Sequence, residues 1–178
     1  MNETISIHPG QTGDEIALAL VGQATFLESF AGIIPGSDII AHCANQHAAE
    51  KYRGWIEDPA TCTWLASVAP DRAPVGYLVL TKPDLPLAGI GPDDTEVKRI
   101  YLLQRFQGRG VGRDLMGTAL TEARRLGRKR VLLGVYSQNE SAIGFYHRAG
   151  FIRVGERPFQ VGANTYHDFI FALDLRHP

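Results

Sequence analysis

Apolar and polar positions along the chain follow two spacings, and their alternation predicts most of the elements. Thr4 to His8 alternates as a short strand that Pro9-Gly10 ends. From Asp14, the residues Ile16, Leu20, Ala24 and Leu27 recur at helical steps, with Asp14 and Glu15 in the first turn, where negative charge suits the helix dipole. Ile33-Ile34-Pro35-Gly36 breaks this helix. A weaker helical region then runs from about Asp38 to Trp55 in two pieces, and Asp58-Pro59 stops it. Thr61 to Val68 and Val75 to Thr81 are apolar, β-branched runs on either side of a Pro-containing turn, and read as an antiparallel hairpin. Pro83 to Asp94 is rich in proline and glycine and reads as a surface loop.

Glu96 to Leu103 alternates again and is rich in Val, Ile, Tyr and Leu, which predicts a strand. Directly after it, Gly108, Gly110 and Gly112 surround two arginines. Val111, Leu115, Ala119, Ala123 and Leu126 then give a helix with one apolar face, capped by Gly127. Val131 to Tyr136 is a strand, Asn139 to Ala149 a short helix, and Phe151 to Arg157 and Thr165 to Leu175 two further strands. Hairpins flanking one strand-helix-strand crossover predict an α/β (α+β) fold. Its sheet is mixed and mostly antiparallel, with about seven strands flanked by four or five helices. At 178 residues, the chain reads as a single domain over 1–178.

Composition narrows the function by exclusion. A formal net charge of −1 argues against a nucleic-acid binder, which needs a basic face. Cys43 and Cys62 are too few for a disulfide framework and are not spaced as a metal pair, so a reducing compartment is expected. The sequence shows neither a membrane-span run nor the pattern of a secretory leader, and the expected location is cytoplasmic. His42 and His47 share a helical face, yet no third ligand is evident and no metal is expected. Glu28, Asp38, Glu50 and Asp58 are candidate carboxylates for a cationic substrate, although each reads more readily as a surface charge.

The chemistry concentrates where the strand meets the glycines. The first N–H groups of a helix have no internal acceptor and sit at the positive end of its dipole, so they bind phosphate well. Glycine lets that backbone come close to a pyrophosphate. The dinucleotide fingerprint fails here because Arg113 stands where its third glycine belongs, and the P-loop fails because no glycine precedes Lys then Ser or Thr. What remains, Gln107-x-x-Gly110-x-Gly112, resembles the pyrophosphate signature of the GNAT N-acetyltransferases.

A second stretch carries the same resemblance. Asn139-Glu140-Ser141-Ala142-Ile143-Gly144-Phe145-Tyr146-His147-Arg148-Ala149-Gly150-Phe151 looks like the N-x-x-A-x-x-F-Y-x-x-x-G-F segment of that superfamily and lies one helix and one strand beyond the glycines. The resemblance implies the GNAT fold, splayed at its central parallel pair, with acetyl-CoA as co-substrate. It implies coenzyme contacts from the Ile100, Tyr101 and Leu102 backbone, from Gln107, Gly108, Arg109, Gly110, Val111, Gly112 and Arg113, and from Asn139, which is also a good N-cap. Glu96 resembles the family's general base and Tyr146 its general acid. The stretches Glu96-x-Lys98-Arg99-Ile100-Tyr101-Leu102-Leu103, Leu133-Gly134-Val135-Tyr136, Phe159-x-x-Gly162 and Asp168-x-Ile170 are similar to bacterial spermidine/spermine acetyltransferases of the PaiA type, with Arg157 standing where those enzymes have His. The implied activity is acetyl transfer to a primary amine, in narrower form a polyamine. A peptide or protein amine, or a non-catalytic acyl-CoA-binding regulatory module, is the alternative. The resemblance also makes a homodimer an expected partner state.

Overall fold

A computed structural model of the chain describes residues 4–176. It contains β1 (Ile5–Pro9), α1 (Glu15–Phe30), α2 (Gly36–Gln46), α3 (Ala49–Glu57), β2 (Cys62–Val68), β3 (Ala73–Thr81), β4 (Asp94–Leu102), α4 (Val111–Arg125), β5 (Arg130–Tyr136), α5 (Glu140–Arg148), β6 (Ile152–Val161) and β7 (Asn164–Asp174). The seven strands hydrogen-bond in the order β1-β2-β3-β4-β5-β7-β6. β1·β2, β5·β7 and β6·β7 are antiparallel and β4·β5 is parallel, which is the mixed, mostly antiparallel sheet that the pattern predicts. The described residues gather into two compact units: the first runs up to Val79 and includes Arg99–Met116, and the second comprises Leu80–Lys98 and the chain from Gly117 onward.

The first unit packs α1 and α3 over strand residues. Leu18, Ala19, Val21, Tyr52, Leu65, Tyr77 and Val79 form its core, with Trp55, Tyr101 and Leu103 against it. The α1 helix lies where its periodicity places it, but the stripe that defined it is not the buried one. Ile16, Leu20 and Leu27 are 70%, 61% and 53% exposed, while Leu18, Val21, Gly22, Thr25 and Phe26 turn inward. Apolar residues occupy both faces of this helix, so periodicity found the helix without fixing its rotation. Gly22 has a packing reason: a Cβ there would collide with the Tyr52 hydroxyl and His47 Nδ1.

That corner of the core is polar. His47, Tyr52 and Tyr77 are buried and linked, His47 Nδ1 to the Tyr52 hydroxyl at 2.8 Å and Tyr52 donating to Tyr77 at 2.9 Å. His42 stacks on Phe26 with ring centroids 4.2 Å apart. Burial, with Arg99 nearby, lowers His42 to about 4, and burial, Arg99 and His42 together lower His47 to about 2. Both rings are therefore neutral near pH 7.

The second unit builds on β5 and β7, whose register runs from Arg130↔Asp174 to Tyr136↔Asp168. Leu85, Leu132, Ile170 and Ala172 make one of its clusters, against which Leu87 and Ile90 of the preceding loop pack. β6 extends to Val161 rather than ending at Arg157, and Pro158 pairs in register with His167. β6 is an edge strand, where a missing N–H costs no ladder bond on the outer side. Leu126, the last apolar position of the α4 pattern, is exposed beyond the end of the helix, whereas Leu115, Ala119 and Ala123 are buried. Among the described residues, no helix is long and apolar enough to cross a membrane, and neither Cys43 nor Cys62 is in a disulfide.

His47 sets a pH dependence of stability. Unfolded histidine takes a proton near 6.5 and folded His47 does not, so stability is full above 6.5 and falls as pH drops toward the folded value of about 2. Urea unfolding between pH 6.5 and about pH 5, above the range of ordinary carboxylates, is expected to lose up to about 1.4 kcal/mol per pH unit for this histidine, with a shallower loss in His47→Gln. A flat profile would contradict a neutral buried His47.

Candidate active site

The parallel register between β4 and β5 runs Asp94↔Arg130, Thr95↔Val131 and Glu96↔Leu132. Its entry is fastened by charge: Arg130 donates from Nε and Nη2 to Asp94 at 2.9 and 2.6 Å, and the Gly91 N–H donates to the same carboxylate at 2.8 Å. Its last residue is Glu96, buried at 1% exposure. The sequence pattern starts this strand at Glu96. In the structure β4 begins two residues earlier, at Asp94, and Glu96 is enclosed.

Glu96 Oε2 accepts the Asp84 N–H at 2.9 Å, and Oε1 lies 3.4 Å from Lys98 Nζ. Lys98 also forms an ion pair with the Asp84 carboxylate. Burial raises the Glu96 pKa, the Asp84 N–H and Lys98 working against it. Burial pushes the Asp84 carboxyl up as well, but Lys98 and Arg157 outweigh it and leave that group lowered. The result is a carboxylate of raised basicity held in one orientation, as a general base requires. Asp84 was read only as part of a surface loop. Nothing in the sequence signals its role, because what Glu96 uses is its backbone N–H.

The same unit holds Asn139 and Tyr146. Asn139 Oδ1 accepts the Ala142 N–H at 3.1 Å, which makes it the N-cap of α5. Tyr146 is buried on α5, its ring against Phe145, Phe151 and Phe171. Nearby on the sheet, Arg157 donates from Nε and Nη2 to Asp168 at 3.2 Å, and burial raises the Asp168 pKa against that charge. Gly134 makes room for this pair, since a Cβ there would lie 2.8 Å from Arg157 Nη2. A groove of about 480 Å³ on the β6–β7 hairpin is lined by Glu156, Arg157, Pro158, Thr165, Tyr166 and His167.

The first unit holds the other predicted residues: Ile100, Tyr101 and Leu102 at the end of β4, and the glycine turn. Gly108 and Gly110 have φ of 72° and 88°, a conformation that needs glycine. Gln107 reaches back, its Nε2 donating to the Leu102 carbonyl at 3.0 Å, so this side chain ties the turn to the strand. The Asp114 N–H is the first in α4 to find a helical acceptor, Gly110 O at 2.9 Å. The N–H groups of Val111, Gly112 and Arg113 precede it at the positive helix end, the arrangement that receives phosphate. The Arg113 side chain is largely exposed and lies 3.4 Å from Asp114, and Arg109 lies over the Phe106 ring.

Other candidates have local duties. Asp58 accepts from the Ala60 N–H and the Thr61 hydroxyl, and Glu28 accepts the Gln104 N–H at 3.0 Å. Among the described residues, no group of three or more His, Cys, Asp or Glu side chains is placed to hold a metal ion.

A strand leading into a glycine-opened helix, with a buried carboxylate on that strand, supplies parts that an acyl-coenzyme A-dependent transferase needs. The model of the acetyltransferase (GNAT) family matches residues 35–151, and the chain belongs to that family as an acetyl-CoA-dependent N-acetyltransferase. It is 29% identical to an uncharacterised N-acetyltransferase of Lactobacillus delbrueckii subsp. lactis over 87% of this chain and 88% of the relative. A shorter match, 38% identical, joins 35% of this chain to 36% of an L-methionine sulfoximine/L-methionine sulfone acetyltransferase of Salmonella typhimurium. In fold, it is similar to a PaiA N-acetyltransferase of Thermoplasma acidophilum solved with coenzyme A, with a TM-score of 0.74 and 20% identity over 96% of this chain and 99% of that one.

The raised Glu96 pKa is directly measurable. In a carbon-13 carboxyl NMR titration, Glu96 is expected to titrate above the ordinary glutamate range, and Lys98→Met, which removes a charge favouring the ionised form, is expected to raise it further. Titration in the ordinary range in the unmodified protein would show that burial does not govern this group.

Proposed function

We propose that the protein transfers the acetyl group of acetyl-CoA directly to a primary amine, with Glu96 as general base and Tyr146 as general acid. The observation that carries this reading is Glu96 itself, a buried carboxylate with raised pKa, oriented by the Asp84 N–H and Lys98. An amine arrives as ammonium and must lose a proton to become a nucleophile; Glu96 accepts it, directly or through one water. The amine nitrogen then attacks the thioester carbonyl carbon, a C–N bond forms, and the C–S bond breaks. The departing thiolate takes its proton from the Tyr146 hydroxyl, and the second proton that the nitrogen sheds as it becomes an amide restores the tyrosine through solvent. The glycine turn from Gly108 to Gly112, with the N–H groups opening α4, takes the coenzyme pyrophosphate. The Ile100, Tyr101 and Leu102 backbone and the Asn139 amide take its pantetheine arm. Residues 1–178 act in this reading as one GNAT domain, and a cytoplasmic location suits two cysteines that form no disulfide.

A polyamine is the narrower form of this reading, supported by the PaiA-like stretches. Three carboxylates of the second unit are already engaged, Glu96 and Asp84 by Lys98 and Asp168 by Arg157. A second or third ammonium group therefore finds little unpaired negative charge there, and spermidine is expected to be no better an acceptor than a simple primary amine. The relative that acts on methionine sulfoximine and methionine sulfone widens the acceptor panel to amines of amino-acid type.

The test is thiol release from acetyl-CoA with spermidine, spermine, simple primary amines, amino acids and a peptide N-terminus. At least one amine is expected to support turnover, and Tyr146→Phe is expected to lower kcat by about 10²- to 10⁴-fold with little change in coenzyme affinity. Coenzyme binding without turnover on any amine would overturn the reading in favour of a non-catalytic acyl-coenzyme A module.

A further inference from the structure

The first unit carries a charge that its own residues leave unanswered. Arg99 Nη1 donates to the Tyr52 hydroxyl at 2.9 Å and lies 3.3 Å from His47 Nδ1. Tyr52 gives its one proton to Tyr77, so its oxygen accepts from Arg99 and from a His47 Nδ1–H. The guanidinium carbon sits 4.8 Å from the Trp55 ring centre and 5.6 Å from that of Tyr52. Among the described residues no carboxylate pairs with Arg99, and its Nε and Nη2 make no hydrogen bond. The other titratable groups facing it are His42, Cys43, His47, Tyr52, Tyr77 and Tyr101, none of them an acid of the carboxylate kind.

A partly buried cation gains from a paired anion, because aromatic faces compensate only part of its lost hydration. The free edge of this guanidinium, Nε with Nη2, has the planar fork that matches a carboxylate through two parallel hydrogen bonds. Arg99, Trp55, Tyr101 and His42 are each partly exposed rather than fully buried. Its walls are aromatic, which suits an organic acid with an apolar body better than a heavily hydrated polyanion. We propose that Arg99, walled by Tyr52 and Trp55, is a binding site for a small organic carboxylate. That carboxylate comes either on the acceptor, as in an α-amino acid, or on a separate acid; only the first source rests on the amine-acetylation reading.

The experiment follows the Trp55 indole N–H by NMR in the full chain without acetyl-CoA, so it does not depend on acetyl transfer. L-leucine, isoamylamine (its carboxylate-free counterpart), sodium acetate and inorganic phosphate are titrated separately. A saturable shift with leucine but not isoamylamine is expected. Acetate shifting the signal as strongly as leucine assigns the carboxylate to a separate acid, and leucine alone shifting it assigns it to the acceptor. No shift with either carboxylate would overturn the proposal, as would an equal shift with isoamylamine or phosphate. Arg99→Lys, which keeps the charge and loses the fork, is expected to weaken binding by about 10- to 100-fold, with thermal unfolding measured alongside. If that variant does not fold, the wild-type comparison of leucine with isoamylamine still decides. Carboxylate binding with no turnover on any amine would refute the acetylation reading and leave this site standing.

Discussion

The short parallel register between β4 and β5 is the constraint on which the chemistry depends. Parallel strands need a crossover, and α4 supplies it, so the glycine turn that opens α4 must follow β4 directly. Asp94 and Arg130 are Cα partners in this register and also a bidentate ion pair, which fixes how the strands meet. With that alignment set, Glu96 is the last residue of β4 paired to β5, facing Leu132 in a buried position. A one-residue slip would turn its side chain to the other face of the sheet.

Two ways of managing buried charge divide the molecule's polar residues. In the second unit acids and bases are matched: Lys98 lies between Glu96 and Asp84, and Arg157 answers Asp168. The match is incomplete at Glu96, where burial still holds the proton affinity up, and that residual basicity is what the proposed general base would use. In the first unit the surroundings of Arg99 are neutral, because burial keeps His42 and His47 from taking protons. The contrast shows in composition too: a net charge of −1 conceals one cluster where charges cancel and another where a cation has no carboxylate partner among the described residues.

Much of this was legible in the residues. Gly108 and Gly110 announced a turn with positive φ, Asn139 announced an N-cap, and the spacing from Gln107 to Tyr146 announced the family. Three features were not legible, each for a physical reason. The rotation of α1 was hidden because Ile16 and Leu20 are as apolar as Leu18 and Val21, and only packing chooses between the two faces. The true end of β6 was hidden because Pro158 reads as a breaker unless the strand is known to lie at an edge. The setting of Glu96 was hidden because its partner is a backbone N–H from a loop, and any residue but proline could have supplied it. Local rules reach as far as local interactions do; burial and long-range pairing supply the rest.

The central claim is that Glu96 is the base for acetyl transfer, and the pH dependence of kcat/KM tests it most directly. A base works when deprotonated, so for a good acceptor the wild-type rate should rise with pH through the raised Glu96 pKa, and Glu96→Gln should lose that limb along with most of the rate. Superimposable profiles and rates for the two proteins would contradict the account.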